Sequence, residues 1–200
     1  MPVATKKRNE LGMIHVYTGN GKGKTTASLG LALRAIGHGF NVCVVQFMKG
    51  GRYFGELAAA ENLLKNNIQF AQFGQACPYA ERIKKGTMKC GRCRSCFMTY
   101  EEEIEQAKKA LDYAKKILQS NKYDVVILDE INLAMSRGHI PVDDVLKLIM
   151  TKHPGTELIL TGRNAPSEII AAADYVTEMK EIKHPFNKKR KITGRRGVEY

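Results

Sequence analysis

Short apolar runs alternate with longer amphipathic stretches along almost the whole chain. Met13–Tyr17 reads as a strand, and Lys24–Ile36 as a helix with Leu29, Leu33 and Ile36 at helical spacing. Asn41–Phe47 is a β-branched run of the kind buried on both faces of a sheet. Glu56–Lys65 predicts a helix and Ile68–Phe73 a strand. Tyr100–Gln119 predicts a long charged helix with Ile104, Ala107, Leu111, Ala114 and Leu118 on one face. Val125–Leu128 (strand), Val142–Thr151 (helix), Glu157–Leu160 (strand), Ser167–Ala173 (helix) and Tyr175–Met179 (strand) complete the series. Such alternation predicts an α/β fold, a mostly parallel sheet with helices on both faces. One segment breaks the rhythm. Residues 74–98 lack periodicity and hold four of the five cysteines, so they read as a functional insertion between strand and helix.

Length and charge bound the picture. Two hundred residues suit one domain, here 13–200, behind a basic tail at 1–12. No apolar run reaches membrane-spanning length, and the first dozen residues carry no apolar signal-peptide core. A cytoplasmic location is expected, with no membrane partner. Lys and Arg number 32 against 20 Asp and Glu, a net charge of +12. Part of the excess lies in the basic segment 183–200, at Lys188-Lys189-Arg190-Lys191 and Arg195-Arg196. No aromatic residue interleaves that run for base stacking, so nucleic acid is not the expected partner.

The chemistry begins directly behind the first strand. Gly19-Asn20-Gly21-Lys22-Gly23-Lys24-Thr25-Thr26 turns from strand to helix through glycines, leaving backbone N–H groups aimed into one concavity at a helix N-terminus. That arrangement holds polyphosphate. The pattern G-x-x-x-x-G-K-[ST] is met from Gly23 onward, with Lys24 as phosphate lysine and Thr25 as magnesium hydroxyl; Thr18 stands where its first glycine would be. Val125-Val-Ile-Leu-Asp129-Glu130 is the companion strand, ending in carboxylates that complete a magnesium shell with Thr25. Leu160-Thr-Gly-Arg163 brings a guanidinium to the same edge, within reach of a phosphate or a partner subunit.

The chain resembles the P-loop class of ATP:corrinoid adenosyltransferases. The resemblance rests on Tyr17–Ala27, Leu31–Gly39, Val44–Gly50, Ile127–Ile131, Thr161–Pro166, Ala173–Met179, Lys183–Phe186 and Arg196–Tyr200. It implies a P-loop NTPase-like (RecA-like) fold and transfer of the 5′-deoxyadenosyl group of ATP to Co(I) of a corrinoid, with triphosphate leaving. ATP is then held in a sense reversed from that of kinases, and Thr18 reads as a mark of that use. The implied catalytic set is Lys24, Thr25 and Glu130. Lys22 and the loop N–H groups also bear the triphosphate charge, Thr25, Asp129 and Glu130 hold Mg2+, and Arg34, Lys49 and Arg163 are further nucleotide contacts. A homodimer and an electron donor that reduces Co(II) to Co(I) are implied as well. The family's aromatic Gly-x-Gly-Phe-Thr-Trp segment is replaced by Gly74-Gln-Ala-Cys-Pro-Tyr79, and the chain has no Trp. Phe73, Tyr79 or Phe97 is left to face the corrinoid.

Cys77, Cys90, Cys93 and Cys96 form a second candidate site. The C-x2-C-x2-C run with a remote Cys-Pro matches ferredoxin-type ligation of a [4Fe–4S] cluster; zinc is the alternative and an unmetallated cluster of thiols the third. A cluster here is expected to pass an electron to Co(II) or to order a lid. Cys43, inside a β-branched strand, reads as core. Two rival functions remain: a P-loop nucleoside kinase with a four-cysteine metal site, and a RecA-like ATP-dependent nucleic-acid binder.

Overall fold

The computed structural model describes residues 10–64, 67–90, 93–185 and 195–200. Most of the basic tail, Lys65 and the run Lys188–Lys191 lie outside the described residues.

Six strands form one parallel sheet: β1 (Ile14–Thr18), β2 (Val42–Phe47), β3 (Ile68–Phe73), β4 (Val125–Asp129), β5 (Glu157–Thr161) and β6 (Tyr175–Glu178). Their order is β3-β2-β4-β5-β1-β6, so β5 separates the glycine-loop strand from the Asp-Glu strand. Among the described residues seven helices accompany them: α1 (Lys24–Gly37), α2 (Gly55–Leu63), α3 (Ala80–Lys84), α4 (Tyr100–Gln119), α5 (Ile131–Ser136), α6 (Val142–Thr151) and α7 (Ser167–Ala171). Among the described residues no helix is long and apolar enough to cross a membrane.

The central strands are apolar throughout because both faces are covered. Alternate residues divide between two layers. Val126 and Leu128 of β4, with Cys43, Val45 and Phe47 of β2, pack into a core shared with α4–α7. Val125 and Ile127, with Val42 and Val44, face α1 through Ala32 and Ala35. Helix α4 starts on a capping box, in which Thr99 accepts from Glu102 N and the Glu102 carboxylate accepts from Thr99 N. It buries Ala107, Ala110, Ala114 and Leu118.

The apolar spacing misplaces one residue of α1. Leu33 of α1 is 59% exposed, and the buried stripe is Ser28, Ala32 and Ala35. Small residues let this helix lie close to the sheet, and Leu29 and Ile36 of the expected stripe pack partly buried against the same cluster. Helices α3 and α5, of five and six residues, were not marked by periodicity, because so few turns carry too little of it.

Candidate functional site

Four strands end at one edge of the sheet, and after each the chain turns through a left-handed residue. These are Gly19 after β1, Met48 after β2, Glu130 after β4 and Gly162 after β5. That conformation costs a non-glycine residue about 1–2 kcal/mol. Such strain concentrates at functional sites, and here it delivers Lys49, Glu130 and Arg163 to one cavity.

The glycine loop is pinned from behind. Gly21 N donates to Met179 O at 2.6 Å. A Cβ on Gly19 or Gly21 would stand 2.5 or 2.7 Å from that same oxygen. Glycine is therefore demanded by the backbone following β6. Gly23, at φ 115°, then opens α1. Lys24 is buried and folds back over the loop, its Nζ donating to Gly19 O and Gly21 O at 2.7 Å each. Burial lowers its pKa most; Glu130 opposes that and Arg163 adds to it.

Asp129 is the hub. Its carboxylate is fully buried yet takes four donors: Thr25 Oγ1 at 2.8 Å and Thr161 Oγ1 at 2.7 Å on Oδ1, Lys49 Nζ at 2.5 Å and Gln46 Nε2 at 3.1 Å on Oδ2. Burial is the strongest influence on its pKa and pushes it up. The Lys49 charge and the hydrogen bonds from Lys49, Thr161 and Thr25 outweigh burial and hold it below the ordinary carboxylate value. The adjacent Glu130 is raised, first by burial and then by Asp129. Two neighbouring carboxyls thus have opposite tendencies, set by who donates to each.

The cavity beside this hub measures about 480 Å3, within the range of small-molecule sites. Lys22, Lys24, Lys49 and Arg163 supply positive charge, Thr25 a hydroxyl and Glu130 a carboxyl. Leu29 and Phe54 form an apolar wall, and Gly197–Tyr200 close the other side.

Not every expected contact is gathered there. Thr18, Gly19 and Asn20 line a different cavity, on the far side of the loop. Thr18 Oγ1 accepts from Ala165 N at 3.1 Å, and Asn20 Oδ1 accepts from Glu181 N at 3.0 Å. Thr18 thus has a local task, tying β1 to the loop after β5. Arg34 is exposed in the last turn of α1, ten residues and so about 15 Å from Lys24. Phe73 packs on Tyr113 with ring centroids 5.6 Å apart, while Phe97 is 71% exposed beneath Arg94. Neither these nor Tyr79 lines the cavity beside Asp129.

All five cysteines are free thiols, and Cys43 is in the core as expected. Burial pushes the Cys96 thiol up, and the nearby Cys77, Cys90 and Cys93 push it further. Among the described residues no three His, Cys, Asp or Glu side chains stand in metal-binding geometry.

Sequence reasoning missed Gln46, Phe54, Glu56 and the Gly197–Tyr200 wall. Gln46 did leave a signal, as the lone polar residue in the fully buried strand VCVVQF.

A glycine loop opening a helix, joined through Thr25 to an Asp-Glu strand in a parallel sheet, defines a P-loop nucleotide-binding protein. A model of the ATP:corrinoid adenosyltransferase BtuR/CobO/CobP family matches residues 10–200, and the chain belongs to that family. It is 36% identical over 199 residues to the corrinoid adenosyltransferase of a Sinorhizobium species, covering 99% of this chain and 85% of that one. The corrinoid adenosyltransferase of Pseudomonas aeruginosa is 33% identical over 193 residues, with 96% and 86% covered. Corrinoid adenosyltransferase CobA of Salmonella typhimurium is 31% identical over 194 residues, with 96% and 88% covered.

Proposed function

We propose that this protein transfers the 5′-deoxyadenosyl group of ATP to Co(I) of a corrinoid and releases triphosphate, in biosynthesis or salvage of the adenosylated cofactor. Family membership together with the cation-lined cavity carries the reading. The triphosphate lies over the loop, its charge met by Lys22, Lys24, Arg163 and the N–H groups of 21–26. A reduced cobalt is itself a strong nucleophile, so the protein's tasks are alignment and stabilisation of the leaving charge. The Asp129 oxygens, both engaged by donors, have no further role as a base.

The oxygen set fits Mg2+. Thr25 Oγ1 and Asp129 Oδ1 are hard donors 2.8 Å apart, with Glu130 at the same cavity. Lys49 Nζ already lies 3.4 Å from Thr25 Oγ1 and 2.5 Å from Asp129 Oδ2, which supports a site for positive charge there. Bound Mg2+ would neutralise charge on the triphosphate. With Mg2+ held there, Lys49 would be available to a phosphate, as a nucleotide contact as well as a counterion. The corrinoid comes to the cavity mouth near Phe54 and the insertion, already reduced by an external electron donor. The working unit is a homodimer in the cytoplasm.

The test mixes the protein with Mg-ATP and a chemically reduced corrinoid. Triphosphate and a light-sensitive Co–C product are expected in equal amounts. ADP or orthophosphate as the nucleotide product would restore the kinase or motor reading.

A further inference from the structure

The connection from β2 to α2 supplies both the counterion of Asp129 and one wall of the cavity beside it. A Cβ on Gly51 would stand 2.7 Å from Phe54 Cε2 and 2.8 Å from Tyr53 Cε1, so both rings are seated against the backbone at Gly51. They stack on each other at 4.9 Å between centroids, and Tyr53 meets Tyr200 edge-on at 5.6 Å. Phe54 and Tyr200 both line the cavity.

Tyr200 is held from its own side as well. Arg195 closes the strap 195–200, its Nε and Nη2 donating to the Glu199 carboxylate at 3.2 and 3.0 Å, and Gly197 N donates to Tyr200 O at 2.7 Å. Arg196 Nη2 donates to Lys84 O at 3.1 Å and ties the strap to α3. Both aromatic residues are therefore fixed by packing, as preorganised binding surfaces are.

Charge divides the cavity. Lys22, Lys24, Lys49 and Arg163 suit polyphosphate, and Glu130 follows the Asp129 that binds Thr25. Glu56, two residues after Phe54, lines the same cavity and serves neither group. Among the described residues no hydrogen bond or salt bridge engages its carboxylate. A carboxylate close to a polyanion repels it. Its place therefore marks the part of the ligand that carries no charge and offers donors. In ATP that part is the nucleoside, whose adjacent 2′- and 3′-hydroxyls present two donors to two carboxylate oxygens.

Resting on the nucleotide reading of this cavity, we propose that Glu56 accepts from the ribose hydroxyls of ATP while Phe54 and Tyr200 hold the base. Lys49 and Glu56 leave β2 on one connection. The departing phosphate and the ribose carbon it leaves are then aligned by a single rigid piece.

Calorimetry on the full chain, with Mg2+ and without corrinoid, compares ATP, 2′-deoxy-ATP, 3′-deoxy-ATP and inorganic tripolyphosphate. The wild type is expected to bind ATP about tenfold tighter than either deoxynucleotide, the worth of one hydrogen bond to a charged group. Glu56→Ala is expected to lose that preference and to bind tripolyphosphate as tightly as the wild type does. Tyr200→Ala is expected to weaken ATP about threefold or more, while keeping the preference for the hydroxyls and the affinity for tripolyphosphate. A wild type indifferent to the ribose hydroxyls overturns the proposal. So does a preference that survives Glu56→Ala, or a Glu56→Ala variant that weakens ATP and tripolyphosphate alike. Unchanged ATP affinity in Tyr200→Ala overturns the assignment of the base. If the wild type binds neither ATP nor tripolyphosphate, the nucleotide reading itself fails, and the two failures are told apart.

Discussion

Lys49→Met removes the ammonium paired with Asp129 at 2.5 Å and leaves a carboxylate with no exposed surface. Breaking a buried ion pair from one side costs about 3–5 kcal/mol. Lys49 keeps 24% of its side chain exposed, and Thr25, Thr161 and Gln46 still donate to Asp129, which places the loss lower, at about 2–3 kcal/mol. For a chain of this size that is a fall in Tm of about 4–12 °C. The sign with pH follows from the carboxyl. In the wild type it is held below its unfolded value, about 3.9. Its contribution is therefore present above pH ~4 and lost as pH falls through the lower folded value. In the variant burial acts with less opposition and the carboxyl rises above that value. A raised carboxyl favours the fold below its unfolded value and loses that contribution as pH rises through the folded one. The deficit of Lys49→Met therefore widens from pH 5 toward pH 7.5. Urea unfolding at both pH values measures it, and adding Asp129→Asn to the variant is expected to restore part of the loss. A deficit under about 0.5 kcal/mol, or one equal at the two pH values, refutes the account of Asp129 as a charge held by Lys49.

Three other perturbations probe the frame. A Cβ on Gly50 would lie 2.2 Å from Gln75 O, so Gly50→Ala is expected to cost about 2 kcal/mol or more and to weaken ATP binding by moving Lys49; unchanged thermal melting and calorimetry would contradict it. Gly30, inside α1 with nothing within 4 Å of a built Cβ, is the opposite case. Gly30→Ala is expected to stabilise by about 0.5–1 kcal/mol in urea unfolding. His139 is buried, with Nε2 3.2 Å from Glu103 Oε2 but without hydrogen-bond alignment, and with Tyr100 and Arg137 around it. Burial lowers its pKa most, against the pull of Glu103. The unfolded chain then binds the extra proton first. Stability should fall as pH drops below 6.5 toward the lower folded value, and His139→Gln should flatten that slope in unfolding curves.

The parts of the fold that could be read from the sequence share one property: the local pattern and the global packing make the same demand. Strand β2 is buried on both faces, so it had to be apolar at every position, and it reads as such. Helix α4 is long and amphipathic, so its buried Ala107, Ala114 and Leu118 recur often enough to declare a face. Helix α1 reads wrongly in one respect because close approach to the sheet selects small residues, and Ser28, Ala32 and Ala35 do not look like a core stripe. No periodicity marks α5, because six residues carry too few turns, and the left-handed Glu130 that sets its start is a feature of the site rather than of the helix.

The same division runs through the site. Lys24, Thr25, Asp129 and Glu130 were legible because each pair follows a fixed local pattern, the first between β1 and α1 and the second between β4 and α5. Gln46, Phe54 and Tyr200 were not, because each is placed by pairing between segments distant in sequence. Gln46 reaches Asp129 because β2 pairs with β4 in the register Gln46↔Asp129, and it passes the contact on to Gln72 of β3, whose Nε2 donates to Gln46 Oε1 at 2.8 Å. Thr18 shows the reverse error. Its departure from the glycine pattern invites a reading through the nucleotide, yet its hydroxyl accepts from Ala165 N and its carbonyl accepts from Met179 N at 2.9 Å. Both contacts hold β1 to the loop after β5 and to β6, and they leave the first glycine's task to Gly19. The glycine loop is shaped by the backbone at Met179, against which Gly19 and Gly21 are packed. A substitution that moves Met179 should thus disturb nucleotide binding as surely as one in the loop itself.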